Sequence, residues 1–338
     1  MIVVRAPLRI SFVGGGTDLP DFYGLYRGRV ISTTIDKYVY IVLNRTPLVP
    51  KISARYTISE TVDKPERLQH TRIKAALIDL RIKRGIEIAS FASLPAKTGL
   101  GSSSSFSVAL IKGLYAYQGK KLTQEEAAEL ACRLEINLLN EPIGKQDQYA
   151  ASFGGLNMFE FNTNGKVRIT PVMLSFKTRL AFEKHLLLFF TGLTRDAGTV
   201  LKEQKLNIKA KMKTLKKMAD SVNEFSEKLC AGDFRALGKM LHEGWLMKKS
   251  LATTISNSII DKLYDQGIKN GAWGGKILGA GGGGCILFIA PAKNRETIRS
   301  ALTQIAKTNN LKEFQEIPIK FVQSGAEILF NADYERLY

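Results

Sequence analysis

Residues 94–105 run Leu-Pro-Ala-Lys-Thr-Gly-Leu-Gly-Ser-Ser-Ser-Ser, and the chemistry of that run is an anion cradle. Gly99 and Gly101 let backbone amides approach a charged group, and Ser102 to Ser105 supply hydroxyls at the start of an apolar, helix-like stretch. A helix N-terminus behind a glycine-rich turn favours negative charge through its unpaired N–H groups and its dipole. No Gly-Lys-Ser/Thr closes the run, so it is not a Walker loop. Two more glycine clusters flank it: Gly14-Gly15-Gly16-Thr17-Asp18 near the start, and residues 279–284, Gly-Ala-Gly-Gly-Gly-Gly, far downstream. Four successive glycines are an entropically costly way to build a plain turn. Close approach of backbone to phosphate or substrate is the better reading of the last cluster.

Residues 6–20, 94–105 and 274–285, in that order and with these flanks, resemble the three signature motifs of the GHMP small-molecule kinases (galacto-, homoserine, mevalonate and phosphomevalonate kinases). The likeness spans nearly the whole chain, from Ala6 to Cys285. Within the superfamily, Gly-Gly-Gly-Thr-Asp-Leu-Pro at 14–20 is most similar to the heptose 7-phosphate kinases. The resemblance implies an α+β chain with the two-domain GHMP kinase fold. Residues 1–181 would form a ribosomal-S5-like, ATP-binding N-terminal domain and 182–338 a ferredoxin-like C-terminal domain, with the active site between them. It further implies a Mg²⁺- and ATP-dependent kinase acting on the anomeric hydroxyl of a sugar phosphate. A fucokinase-like sugar-1-kinase is the alternative, and a silent ATP- or sugar-binding relative is the contrasting class.

The same resemblance assigns residues. Lys97, Gly99, Leu100, Gly101, Ser102, Ser103 and Ser104 would hold the nucleotide. Ser103 and Glu135 would ligate Mg²⁺, a hard ion that takes oxygen donors. Asp147, in a loop beyond the helix that Pro142 stops, would accept the proton of the acceptor hydroxyl. Arg9 would lower the pKa of Asp147 and offset charge developing on the acceptor oxygen. The interval from Glu135 to Asp147 is slightly longer than in some relatives, which requires an adjustment near 140–143. Gly15, Gly16, Thr17, Asp18, Gly281 and Gly282 would contact substrate. Galactokinase-like relatives carry Glu-His where this chain has Gly15-Gly16, which opens space and argues against galactose. Lys276 would help bind phosphate, and Lys145, Lys97 and Arg195 stand unranked as holders of the substrate's own phosphate.

Several elements must position these groups. Strand-like stretches occur at 30–43, 51–58 and 85–92, and helical patterns at 103–117 and 123–140. Thr123 and Glu126 form a capping-box pattern at the second helix. Short strands and turns are expected up to about residue 180, then a strand at 185–190. Helices follow at 196–250, 258–269 and 296–308, and a strand at 317–321.

Composition bounds the remaining classes. With 45% hydrophobic and 24% charged residues over 338 positions, this is an ordinary globular composition. No apolar stretch approaches the roughly 20 residues needed to span a bilayer, and a cytoplasmic, membrane-free protein is expected. Cys132, Cys230 and Cys285 lack Cys-x-x-Cys spacing and are read as reduced thiols. His70, His185 and His242 form no triad or metal spacing. The net charge of +18 is concentrated in 202–217, where seven lysines accompany one acid. No aromatic residues interleave them, so a solvated helix face is expected rather than nucleic-acid binding. The positive field steers anionic ligands such as a nucleotide and a sugar phosphate. Oligomeric state, a dimer included, stays open.

Overall fold

Strand β1 (Ile2–Val13) is the spine of the molecule: its burial changes from alternating to continuous after Arg5, as expected for a strand covered first on one face and then on both. The computed structural model describes residues 1–194 and 197–332. Arg195 and Asp196, the first a candidate phosphate holder and the second the expected start of the long helical region, lie outside the described residues.

The long strand β2 (Gly28–Arg45) pairs antiparallel with β1 and continues onto β5 (Ile86–Ala92) at one end and β6 (Leu156–Phe161) at the other. The short strands β3 (Ile52–Arg55) and β4 (Ser59–Val62) extend this sheet beyond β5, and β7 (Val167–Pro171) extends it beyond β6. One face is covered by α2 (Thr71–Asp79), α3 (Ser102–Tyr117), α4 (Gln124–Cys132) and α5 (Gln146–Phe153), whose apolar residues meet those of β1, β2 and β5 in a common core. A short α1 (Pro20–Tyr23) follows the first glycine cluster. The capping box at Thr123 forms with both of its hydrogen bonds.

The second half builds an antiparallel sheet from β8 (Leu186–Phe190), β9 (Gly274–Ile277), β10 (Cys285–Ile289) and β11 (Gln315–Glu316), in the order β11-β8-β10-β9. Helices α7 (Ala197–Asn207), α8 (Met212–Cys230), α9 (Phe234–Lys249), α10 (Ser258–Lys269) and α11 (Arg295–Thr308) supply its covering layers. Leu8, Ile10 and Phe12 of β1 share a core with Phe190, Phe225 and Leu287 of this half. The Phe12 ring stacks on Phe225 and tilts against Phe182, each at 5.5 Å between centroids. Both halves therefore close on the same strand.

Three expectations need correction. Residues before β8 are not all strand and turn: α6 (Phe176–His185), N-capped by Ser175, precedes it. No strand forms at 317–321; Phe321 makes a single bridge to Ile35, and Ile317 N–H donates to the Leu188 carbonyl. The last strand, β12 (Glu327–Asn331), went unread, and it pairs with β1 at the edge of the first sheet. A single boundary at 181/182 therefore does not follow the sheets. No helix among the described residues is long and apolar enough to cross a membrane.

Candidate functional site

Arg9 and Asp147 are joined by a two-point clamp. Arg9 Nε donates to Asp147 Oδ1 at 2.7 Å and Arg9 Nη2 to Oδ2 at 2.6 Å, while Nη1 donates to the Gly99 carbonyl at 2.7 Å. This fork-to-fork geometry fixes both side chains, and Arg9 is buried on β1. Each carboxylate oxygen keeps a further acceptor site beyond the arginine. Gly101 covers the pair: a Cβ there would sit 3.2 Å from Arg9 Cγ and 3.4 Å from Asp147 Oδ2. The glycine turn and the clamp thus form one body.

Asp18 abuts them. Its Oδ1 accepts from Gly16 N–H at 3.1 Å and its Oδ2 from Gln146 N–H at 3.2 Å, and burial together with the neighbouring Asp147 pushes its carboxyl up. Gly144 allows this approach, since a Cβ there would fall 2.1 Å from Asp18 Oδ2. Thr17 plays an internal role instead of facing a ligand. Its wholly buried hydroxyl donates to the Gly14 and Arg29 carbonyls and accepts from Arg29 N–H, which locks the turn. Gly15 and Gly16 remain partly exposed.

The serine run divides by face. Gly101 is left-handed at the N-cap of α3, and no side chain caps that helix end. Ser103 is exposed and Ser102 partly exposed, beside the exposed Lys97. Ser104 and Ser105 turn inward: Ser105 Oγ donates to the Pro7 carbonyl, and Ser104 Oγ donates to Glu135 Oε2 at 2.8 Å. Leu100 is core, and its carbonyl accepts from Arg9 N–H, so any ligand contact at that position is a backbone one.

Glu135 is wholly buried, not a solvated helix acid, and takes donors from Ser104, Ser107, Arg72 and Gln148. The serine beside it is Ser104 rather than Ser103. Glu135 sits in a π-helical segment, Arg133–Leu138, where Leu139 N–H reaches back to the Leu134 carbonyl. A π-turn accommodates one extra residue per turn and recurs at functional sites. The adjustment expected near 140–143 is therefore made partly within the helix that carries Glu135.

The third glycine cluster closes on the second, backbone to backbone. A Cβ on Gly279 would lie 2.7 Å from Gly99 Cα, and Cys285 N–H donates to the Thr98 carbonyl. Gly282 is buried, with its N–H on the Ile255 carbonyl, and Gly281 packs on the same residue. This end of the cluster is thus largely consumed by packing, while Gly279 to Gly281 are partly open.

Behind the cluster lie cations that sequence reading missed or misplaced. Lys276 does not reach the cleft surface: it is buried, and its Nζ donates to the Phe12 carbonyl at 2.8 Å across the junction of the two halves. Lys145 is likewise spent, on both oxygens of Glu129 and on the Gly165 carbonyl. Lys248, buried at the end of α9, gave no signal in the sequence. Its Nζ donates to the Ile277 and Gly279 carbonyls and so holds the glycine cluster in place. Burial and the nearby Arg9 lower its pKa to about 7. Burial, with Lys248 and Arg9 nearby, holds the Lys276 ammonium well below its ordinary value too, so Arg9 is the full positive charge beside Asp147.

The Lys248 environment has a pH consequence. Below about pH 7 both folded and unfolded chains carry the proton; between there and the ordinary lysine value of 10.5 the unfolded chain holds one that the folded chain lacks. Unfolding free energy contributed by this group therefore rises with pH across that window. In denaturant melts, the difference in stability between the wild type and Lys248→Met should move in favour of the wild type from pH 7 to 10. A pH-independent difference would contradict the assignment.

Two family models match: GHMP kinases N terminal domain over residues 69–155, and GHMP kinases C terminal over 225–308. The chain is 29% identical to the D-glycero-alpha-D-manno-heptose 7-phosphate kinase of Campylobacter jejuni, covering 88% of this chain and 92% of that protein. It is 27% identical to the bifunctional fucokinase/GDP-fucose pyrophosphorylase of Arabidopsis thaliana, over 90% of this chain and 31% of that protein. Among solved structures, a D-glycero-D-manno-heptose 1-phosphate kinase from Bacteriodes thetaiotaomicron superposes with a TM-score of 0.80 at 26% identity, covering 98% and 99% of the two chains.

Proposed function

Because the chain belongs to the GHMP kinases, we propose that it transfers the γ-phosphate of ATP to the anomeric hydroxyl of D-glycero-D-manno-heptose 7-phosphate, giving the 1,7-bisphosphate. It is a sugar kinase of that family, most like heptose phosphate kinases among the relatives described. The observation that carries the reading is the Arg9–Asp147 clamp under Gly101, with Asp18 alongside and Gly15–Gly16 bare. It sets a carboxylate and a fixed guanidinium beside the uncapped N-terminus of α3.

In this scheme Asp147 receives the acceptor proton as the sugar oxygen bonds to the γ-phosphorus and the bond to the bridging oxygen of ADP breaks. Arg9 holds Asp147 in register and offsets charge near the acceptor oxygen. Asp18 accepts hydrogen bonds from sugar hydroxyls. The uncapped N-terminus of α3, with Ser102 and Ser103, faces the phosphates.

A carboxylate and a hydroxyl suited to Mg²⁺, Glu135 and Ser104, meet behind the helix end, and Glu135 would have to exchange donors from Arg72, Ser107 or Gln148 for the ion. They would hold the ion there, and Ser103 is the exposed hydroxyl beside them. When bound, the ion supplies charge neutralisation on the phosphate oxygens.

The test is a panel of sugars with Mg-ATP, read as ADP release. Heptose 7-phosphate should exceed galactose, fucose and unphosphorylated heptose in kcat/KM by about 100-fold or more, the discrimination available to a site that pairs with a polar substituent. Comparable turnover of fucose or galactose would move the substrate assignment to another sugar-1-kinase. Absence of any sugar-dependent ADP release would remove the catalytic reading.

A further inference from the structure

Of the three glycines at 14–16, Gly15 is the one whose lack of a side chain the fold does not explain. Gly14 and Gly16 have φ of +86° and +94°, where L side chains are disfavoured, and a Cβ on Gly14 would also fall 2.0 Å from the Arg29 carbonyl oxygen. Gly15 lies outside that region of φ. Chain neighbours aside, a Cβ built on it would meet a single atom among the described residues, Ser11 Oγ at 3.8 Å. That is ordinary contact, so backbone and packing both leave room for a side chain here. Gly15 is partly exposed, and the space above it opens on a serine hydroxyl.

Ser11 is 5% exposed, and its Oγ has no hydrogen-bond partner among the described residues. Ser32 stands opposite it across the β1–β2 ladder, buried and equally unpartnered. Buried hydroxyls without partners are costly and uncommon, and two on neighbouring strands suit a hydroxyl brought by a ligand. The strand turns Ser11 toward the clamp. Between Leu8 and Ser11 the pairing of β1 with β2 is regular, so Arg9 and Ser11 share one face, while Leu8, Ile10 and Phe12 face the opposite core. Two residues along a strand put Ser11 about 7 Å from Arg9, and Arg9 holds Asp147. The glycine turn leads to the same place: Gly16 N–H donates to Asp18 Oδ1, and Asp18 Oδ2 accepts from the N–H of Gln146, the neighbour of Asp147 in sequence.

We propose that Ser11 is a specificity-determining residue: its hydroxyl, with Ser32 across the ladder from it, hydrogen-bonds a hydroxyl of the acceptor sugar through the gap that Gly15 leaves. This rests on the sugar kinase reading and deepens it, by naming a residue that the sugar meets beyond Asp18 and Asp147. The contact is one of binding, made alike in the ground state and the transition state, so it shows in the KM for the sugar before kcat.

The experiment measures kcat, the KM for the best acceptor of the sugar panel, the KM for ATP and denaturant unfolding in wild type, Ser11→Ala, Gly15→Ala and the double variant. Ser11→Ala should raise the sugar KM about three- to tenfold, as expected for one neutral hydrogen bond, a larger change than in kcat or in the KM for ATP. Its stability should hold or rise, because alanine removes a buried hydroxyl that the protein by itself leaves unpaired. Gly15→Ala should keep the fold and raise the sugar KM about tenfold by filling the gap. The double variant should lose no more than Gly15→Ala alone, since the methyl has already closed off Ser11. An unchanged sugar KM in Ser11→Ala overturns the contact, and a fall in stability alongside it makes the hydroxyl a structural one. Independent, multiplying losses in the double variant overturn it as well. A wild type that phosphorylates no sugar of the panel overturns the kinase reading itself, and the contact with it.

Discussion

Asp147→Asn is expected to lower kcat by about 10²- to 10⁴-fold, the usual range for a lost acid–base group, with ATP affinity changed by no more than about threefold. The reasoning starts from the clamp. Both Asp147 oxygens accept from Arg9, so the variant loses the proposed proton acceptor and also turns an amide N–H₂ toward guanidinium N–H donors. Asp147→Ala separates the two effects, because alanine cannot accept a proton yet presents no opposing donor. If both variants fall alike in initial-rate measurements, the missing base is responsible. If only asparagine falls, donor conflict with Arg9 is the cause, and near-normal rates in both would remove Asp147 from the chemistry. Nucleotide titration alongside shows whether the ATP site has survived.

Gly99→Ala should damage both the fold and the nucleotide cradle with a single methyl group. Gly99 has φ +78°, where a Cβ costs about 1–2 kcal/mol in an L-residue. That Cβ would also lie 2.6 Å from the Leu278 carbonyl oxygen, so the second and third glycine clusters must part, with overpacking of about 1–3 kcal/mol. A loss of about 2 kcal/mol or more in denaturant melts is expected, with the KM for ATP raised about tenfold or more as the cradle deforms. Gly119→Ala provides the control: its φ is +76°, but nothing lies within 4 Å of the added Cβ. It should lose only the conformational part and leave the KM for ATP alone. Equal behaviour of the two variants would mean that contact between the clusters contributes nothing.

What could be read before folding follows from the range of the interactions concerned. Glycine clusters announce backbone approach locally, and the capping box at Thr123 and the long periodic helices depend on neighbours three or four residues away. Arg9 and Asp147, 138 residues apart, were paired through resemblance rather than spacing. Ser103 and Ser104 were harder to separate, because adjacent helix residues point about 100° apart and only the start at Gly101 sets which faces Glu135. Lys145, Lys248 and Lys276 owe their roles to partners remote in the chain, and nothing local distinguishes them from solvated lysines. The short β12 carried no signal, because five residues with exposed positions look the same in a loop as at a sheet edge.

That last strand has a consequence for how the protein comes into being. β1 lies between β2 and β12, Arg5 meets Glu327 across the final ladder, and Ala332 N–H donates to the Met1 carbonyl. On the ribosome, β1 therefore presents an unsatisfied backbone row until residues 327–331 have emerged. The cleft-bearing sheet is sealed only after the other half has been made, so the two lobes cannot be completed one after the other in order of translation.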